Sequence, residues 1–476
     1  MEYYLMNKDQ RLLSFKTEYS FGDTVVTETE QYAKKLPIGF TDISLWLENR
    51  NYAKHKESLK GYLSQWGMDN VDGFIEITHC LGLNDTLWVK TVDSNLCWSE
   101  VSLYTNDFSD VMEKTAFGNG LNGIEISTTD LTSPEFVSPG SFAKCWKREE
   151  DGIYLYKAQG SLSQGNEPFS EFFASQIAEK FSVPTVKYEL TKLNGRLCTK
   201  CKMFTSEKVG LVSFAGVFDI SKKRYNIPSI IAACEELGFG EEIRQMYLLD
   251  CLTLNQDRHL GNIGFLFDND TFEIIGFSTI YDFTVSMLGD AYREDMKSRS
   301  SIDAYMANNS VRPKASDASF FEVAISLGVK LPADVDFGQH ELYRMEDERF
   351  SKLSEYISLN FERIKHKNND LHRVKIQEKC ETLADHLLGL NYTLKDGFFC
   401  LELLQDDFKK NDYLGRFSTM YGLGEDERIV IKAQGERVEC FLVDEFGESQ
   451  IGKDIVGGEK EFVAGIKKLQ RVTKGY

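Results

Sequence analysis

Hydrophobic and polar residues alternate in several short runs of this chain and recur at helical spacing in others. Phe142 to Trp146 and Ile153 to Lys157 alternate on either side of the turn "REEDG", which predicts a β-hairpin. Phe169, Phe172, Phe173, Ile177 and Phe181 then recur every three to four residues, predicting a helix that ends before Pro184. The strand-like runs "TVKYEL" and "LCTKCKMF" follow. Further on, Ile243, Met246, Leu249 and Leu252 form a helical stripe that leads directly into "NQDRHLGNIGFLF", Asn255 to Phe267. After it, "IGFLFDNDTFEIIGFSTIYDF" predicts two short strands about the turn Asp268-Asn269-Asp270, closing on Asp282.

The flanks are organised differently. The first hundred residues begin with alternating text and continue with Ile43, Trp46, Leu47, Leu59, Tyr62 and Leu63 in positions that predict packed helices. "GNGLNG", Gly118 to Gly123, is expected to be a hinge or loop, and the strand-like "EISTTDL" comes next. Helical, charged text dominates from 340 to 392, broken at "KHKNND", and the last eighty residues return to β-like text in "ERIVIKAQGERVECFLVDEFGES". No internal repeat is visible. These shifts divide the chain into 1–118, 119–225, 226–368 and 369–476.

Composition narrows the partners. With 476 residues, 42% hydrophobic and 12% aromatic, the chain can build sizeable cores. Its formal charge of −19, from 74 acidic against 55 basic residues, repels nucleic acid and anionic lipid, so neither direct nucleic-acid binding nor a membrane is expected. No signal peptide or membrane span is apparent, and a cytoplasmic protein with reduced thiols is expected from the ten scattered cysteines. Cys198 and Cys201 in "CTKC" have zinc spacing but no second ligand pair, so they are expected to be ordinary thiols.

The chemistry concentrates in "DRHLGN", where Asp257 precedes Asn262 by five residues in a loop between a helix and a hairpin, with Asp282 twenty residues beyond. Phosphoryl transfer needs a carboxylate that orients the attacking hydroxyl, then an amide and a carboxylate as oxygen donors for magnesium. Upstream stand a lysine ending a hairpin strand, Lys157, and a glutamate in the following helix, Glu171. A lysine there would neutralise ATP phosphates while the glutamate holds it. Glu167, one turn earlier, competes for that role. Arg258 and His259 are expected to support the loop, Arg258 through an acidic neighbour and His259 by packing.

Together, "SPGSFAKCWKREEDGIYLYKAQG", "SEFFASQIAEKFSVP", "NQDRHLGNIGF" and "YDF" resemble the HipA-like serine/threonine kinases, a bacterial and phage-associated family. The N-terminal "LPIGFTDISLWLENRNYAKHKESLKGYL" and "LGLNDTLWVK" resemble its Firmicutes-type members, and the resemblance covers roughly residues 1 to 365. It implies an α+β, two-lobed protein-kinase-like fold, with a β-rich N-lobe (119–225), a helical C-lobe (226–368) and an N-terminal accessory subdomain; it leaves 369–476 unassigned, where the β-like text is read as a small C-terminal extension. It implies ATP and Mg2+ as cofactors, Asp257 as catalytic base, Asn262 and Asp282 as magnesium ligands, and Lys157 with Glu171 at the ATP phosphates. A loop matching "TSPEFVSPGSFAK" would cover those phosphates through Gly140 and Ser141. Autophosphorylation would fall on Ser138 or Ser141, with Ser133 a further candidate. Some members are toxins paired with a small DNA-binding antitoxin. "DRHLGN" also resembles the D-R-H-x-x-N signature of phosphatidylinositol 3- and 4-kinases, which leaves a lipid or small-molecule hydroxyl as the alternative acceptor, and a non-catalytic ATP-binding scaffold as a third reading.

Overall fold

The chain opens with β1 (Glu2–Asn7), β2 (Gln10–Ser20) and β3 (Asp23–Gln31), whose alternating residues put Tyr3, Leu5, Leu13 and Phe15 on a buried face. A computed structural model describes residues 1–20, 23–51, 67–68, 70–118, 132–137, 143–159, 165–218, 220, 224–309 and 330–366, and the strand backbones at 392–395, 398–404, 428–434, 437–444 and 447–450. Two compact units divide it, Met1–Glu362 and Arg363–Tyr476.

In the first unit, helix α1 (Ile43–Arg50) starts at Asp42, whose carboxylate accepts the Leu45 N–H, and helix α2 (Val71–Thr78) starts in the same way at Asn70. Strand β4 (Leu87–Thr91) completes an antiparallel sheet of order β3-β2-β1-β4. The hairpin over the "REEDG" turn forms as β5 (Lys144–Glu149) and β6 (Gly152–Ala158). Helix α3 (Glu167–Ala178) follows with Pro168 in its first turn, and the Lys180 and Phe181 N–H groups bond three residues back, tightening its exit. Strands β7 (Glu189–Leu193) and β8 (Arg196–Lys202) finish a second antiparallel sheet of order β5-β6-β8-β7.

The strand expected over "TVKYEL" begins only at Glu189, because the backbone at 184–186 turns to a different partner. Ile280 N–H donates to the Pro184 carbonyl, and Val186 N–H donates to the Ile280 carbonyl. The result is a parallel bridge that ties the second sheet to the segment entering Asp282.

Beyond β9 (Val209–Ser213) come helices α4 (Ile227–Glu236) and α5 (Gly240–Thr253), then β10 (Gly264–Asp268) and β11 (Ile274–Phe277). The last two pair antiparallel about the predicted turn, and β9 joins them in the order β11-β10-β9. Helix α5 carries the expected apolar stripe, but Gln245, Tyr247, Asp250 and Cys251 are buried as well, so the helix is enclosed on all sides from Gln245 onward. Residues 299–309 and 347–362 are also helical. A continuous apolar core contains Leu5, Phe15 and Phe74 from the first sheet and α2, together with Phe136, Tyr156 and Cys198 from the second.

The second unit, taken by itself, contains an antiparallel meander: β12 (Tyr392–Lys395), β13 (Phe398–Leu404), β14 (Arg428–Gln434), β15 (Arg437–Asp444) and β16 (Gly447–Gln450), in sequence order. The fold is thus mixed α and β, and its sheets among the described residues are antiparallel. Among the described residues, no helix is long and apolar enough to cross a membrane. The expected helix at Leu59, Tyr62 and Leu63, the loop at 119–123 and the strand "EISTTDL" lie outside the described residues.

Candidate active site

Lys157 is the second-last residue of β6 and lies directly across the ladder from Thr199 of β8, so both side chains leave the same face of the sheet. Helix α3 presents Glu171 to that face. The Lys157 ammonium donates to Glu171 Oε1, and Thr199 Oγ1 donates to Glu171 Oε2, so each carboxylate oxygen has a partner from one of two facing strand positions. Lys157 Nζ also lies 2.9 Å from Asp282 Oδ1 and 2.8 Å from Thr284 Oγ1. It is Glu171, one turn beyond Glu167, that meets the ammonium.

The cluster is graded from inside to outside. The Glu171 side chain is 2% exposed and that of Lys157 12%, while Asp282 keeps 32% of its side-chain surface open. Burial works against the charge on Lys157, but Asp282 and Glu171 override it and raise the ammonium above its usual value. Burial likewise pushes the Asp282 carboxyl up, yet Lys157, Thr284 and Arg258 together hold it well below the usual carboxylate range. The backbone of Asp282 is left-handed, with φ +64°, and its N–H donates to the Tyr188 hydroxyl at 3.0 Å. Such a conformation in a non-glycine residue persists only where its surroundings fix it.

The loop after α5 is held by Arg258, which is 2% exposed. Its Nε and Nη2 form a two-pronged pair with Asp250 of α5, each bond 2.9 Å long. Its Nη1 donates to the Asn262 carbonyl at 2.9 Å and to the Tyr281 carbonyl at 2.6 Å. One guanidinium therefore joins the helix before the loop, the end of the loop and the residue preceding Asp282. Two further bonds reinforce the seam: Gln256 N–H to the Val285 carbonyl, and the Tyr281 hydroxyl to the Gly261 carbonyl.

Within this loop Asp257 is half-buried, and its carbonyl accepts from His259 N–H and from Asn262 Nδ2. That second bond leaves Asn262 Oδ1 as the acceptor on the other branch of the amide. His259 differs from expectation: its ring is exposed rather than packed, and its tie to the loop is the Gly261 N–H donating to Nδ1. Gly140, Ser141 and Ser138 lie outside the described residues. Ser133 is buried, with its hydroxyl donating to Glu135, whose other oxygen accepts the Trp146 N–H.

Cys198 and Cys201 are both buried, and their odd spacing on β8 sends them to opposite sheet faces. They do not form a zinc pair. Among the described residues no three His, Cys, Asp or Glu side chains gather to hold a metal. A magnesium nucleotide asks for less, because it brings phosphate oxygens and water and takes only one or two protein oxygens. Asp282 Oδ2, which has no protein partner among the described residues, and Asn262 Oδ1 fit that demand, and Lys157 fits the phosphates.

Sequence reading missed Thr199, Thr284, Tyr188 and Asp250. Asp250 falls on the apolar stripe of α5, between Ile243 and Met246 around the helix and one turn before its end, and a carboxylate in the otherwise apolar run Met246 to Leu252 was the available signal.

Comparison with known proteins found no matching protein-family model and no match among curated proteins. Solved structures similar to this chain include these two. One is the proinflammatory kinase CtkA of Helicobacter pylori, 15% identical, with a TM-score of 0.39 over 50% of this chain and 94% of that one. The other is from the Shewanella oneidensis MR-1 toxin–antitoxin complex of HipA, HipB and operator DNA, 11% identical, with a TM-score of 0.42 over 76% of this chain and 97% of that one.

Proposed function

We propose that this chain is a HipA-like, ATP-dependent protein kinase with a kinase-like two-lobed arrangement, transferring the γ-phosphoryl group to a serine or threonine hydroxyl. The observation that carries the reading is the Lys157–Glu171–Asp282 cluster, set beside a loop whose two ends Arg258 joins to α5 and to the residue before Asp282. An ammonium held by an inner carboxylate is suited to donate to phosphate, while the rim carboxylate beside it is suited to face a divalent cation.

In this mechanism Lys157 donates N–H bonds to phosphate oxygens while Glu171 keeps its chain extended. Asp282 and Asn262 supply oxygens to magnesium, which when bound with ATP offsets phosphate charge. Asp257 orients the acceptor hydroxyl and takes its proton as the new P–O bond forms and ADP leaves. The acceptor is a protein, the chain itself included. A small DNA-binding protein is the partner this reading names, in keeping with the toxin-like members the sequence resembles.

The test is incubation of the full chain with labelled ATP and magnesium, alone and in lysate, followed by mass spectrometry. Asp257→Asn is expected to lower transfer about 10²- to 10⁴-fold while the chain stays folded. Phosphorylation by this variant at the wild-type rate overturns the assignment. Label appearing only on added phosphoinositide replaces the protein acceptor by a lipid.

A further inference from the structure

Thr284 lies two residues beyond Asp282, is 5% exposed, and touches every charged member of the cluster. Its Oγ1 is 2.8 Å from Lys157 Nζ, 2.8 Å from Asp282 Oδ1 and 3.0 Å from Glu171 Oε1. A hydroxyl has one hydrogen and two lone pairs. Thr284 therefore accepts from the ammonium and offers its hydrogen to the two carboxylates, which it joins through one atom. Asp282 Oδ1 is thereby engaged twice, by Lys157 and by Thr284, whereas Oδ2 has no protein partner among the described residues.

We infer that Thr284 is a positioning residue: it locks Oδ1 of Asp282 inward and so presents Oδ2, in one orientation, to a divalent cation. The requirement is for the hydroxyl and not for the shape of the side chain. Valine fills the same volume but removes the bond, leaving the Asp282 carboxylate held through Lys157 with more freedom about its terminal torsion, and leaving Lys157 one acceptor short. Serine keeps the bond. Groups that orient a ligating carboxylate in this way commonly govern metal affinity by about 10- to 100-fold.

This inference rests on the kinase reading for the identity of the ligand, and it is tested by binding as well as by turnover. The probe is Mn2+ titrated into the full chain in the presence of a non-hydrolysable ATP analogue, read by electron paramagnetic resonance, with circular dichroism to confirm folding. T284V is expected to weaken Mn2+ about 10- to 100-fold, and T284S to bind as wild type does. T284A takes the place of T284V if valine unfolds the chain. A folded T284V or T284A variant with wild-type affinity overturns the inference, whatever the transfer assay shows. Loss of Mn2+ binding in T284V alongside unimpaired transfer by Asp257→Asn overturns the reading of the reaction and leaves the role of Thr284 standing. If the wild-type chain binds no Mn2+ with the analogue, both fall.

Discussion

Lys157 and Asp282 are 125 residues apart in sequence and 2.9 Å apart in space. Each was legible only in company: a lysine at a strand end and an aspartate after a hairpin are ordinary singly, but with Glu171 and the Asp257–Asn262 spacing they fall in the order phosphoryl transfer requires. The hydroxyls around them were not, since threonine and tyrosine occur in any strand and betray nothing by pattern. Thr199 is a partial exception, because once the β6–β8 register is known its place opposite Lys157 follows. The cysteines make the complementary case, in which an eye-catching spacing carries no site. Burial pushes the Cys198 thiol up to about 11 and the Cys201 thiol up to about 12, from a usual 9.0. The folded chain then keeps protons that the unfolded chain releases, so the stabilising term is fully present below pH 9 and declines as pH rises from there towards the folded values. Each such thiol contributes a slope of about 1.4 kcal/mol per pH unit in that window. Urea unfolding under reducing conditions between pH 8 and 11 is expected to show a shallower loss for Cys198→Ala than for wild type. Parallel curves would contradict it.

Elements were readable where periodicity and turn chemistry agreed, as in the β5–β6 and β10–β11 hairpins. They were misread where pairing was decided at a distance. The run at 185–190 has strand composition throughout, but its first residues bond to Ile280 instead of to β8, a choice set by tertiary structure and invisible in local text. The loop after α5 shows the same dependence, because its shape comes from Arg258 reaching back to Asp250 and forward to Tyr281. Asp250 is 1% exposed and Arg258 2%, so removing the guanidinium strands a buried carboxylate. Arg258→Ala is expected to cost about 3–5 kcal/mol in urea unfolding. Arg258→Lys should recover only part of this, since an ammonium cannot span the carboxylate and both carbonyls. A loss under about 1 kcal/mol for Arg258→Ala would mean that the loop is held by its other bonds.

At the scale of the whole chain, the shifts in sequence character at 118 and 225 do not coincide with breaks in packing. Residues from the first sheet, α2 and the second sheet share one core, and Asn7 Nδ2 donates to the Asn269 carbonyl 262 residues away. Composition marks changes of element type, whereas cores form wherever apolar faces meet, so text alone does not locate such continuity. The N-terminal sheet is therefore expected to be required for folding of everything up to 362. The C-terminal meander stands differently. Lys157, Glu171, Asp257, Asn262 and Asp282 all lie within Met1–Glu362, and a chain ended after 366 keeps the helix over 347–366 entire. That shortened chain is expected to unfold cooperatively and to retain a rise in Tm with magnesium and an ATP analogue. Ligand at 100 times its Kd adds about 2.7 kcal/mol to a folded state that binds it. If the rise persists while labelled transfer to lysate proteins disappears, residues 367–476 serve the acceptor. If the rise disappears from a chain that still unfolds cooperatively, the nucleotide site needs the second unit, and the assignment of that site to the first unit alone is wrong.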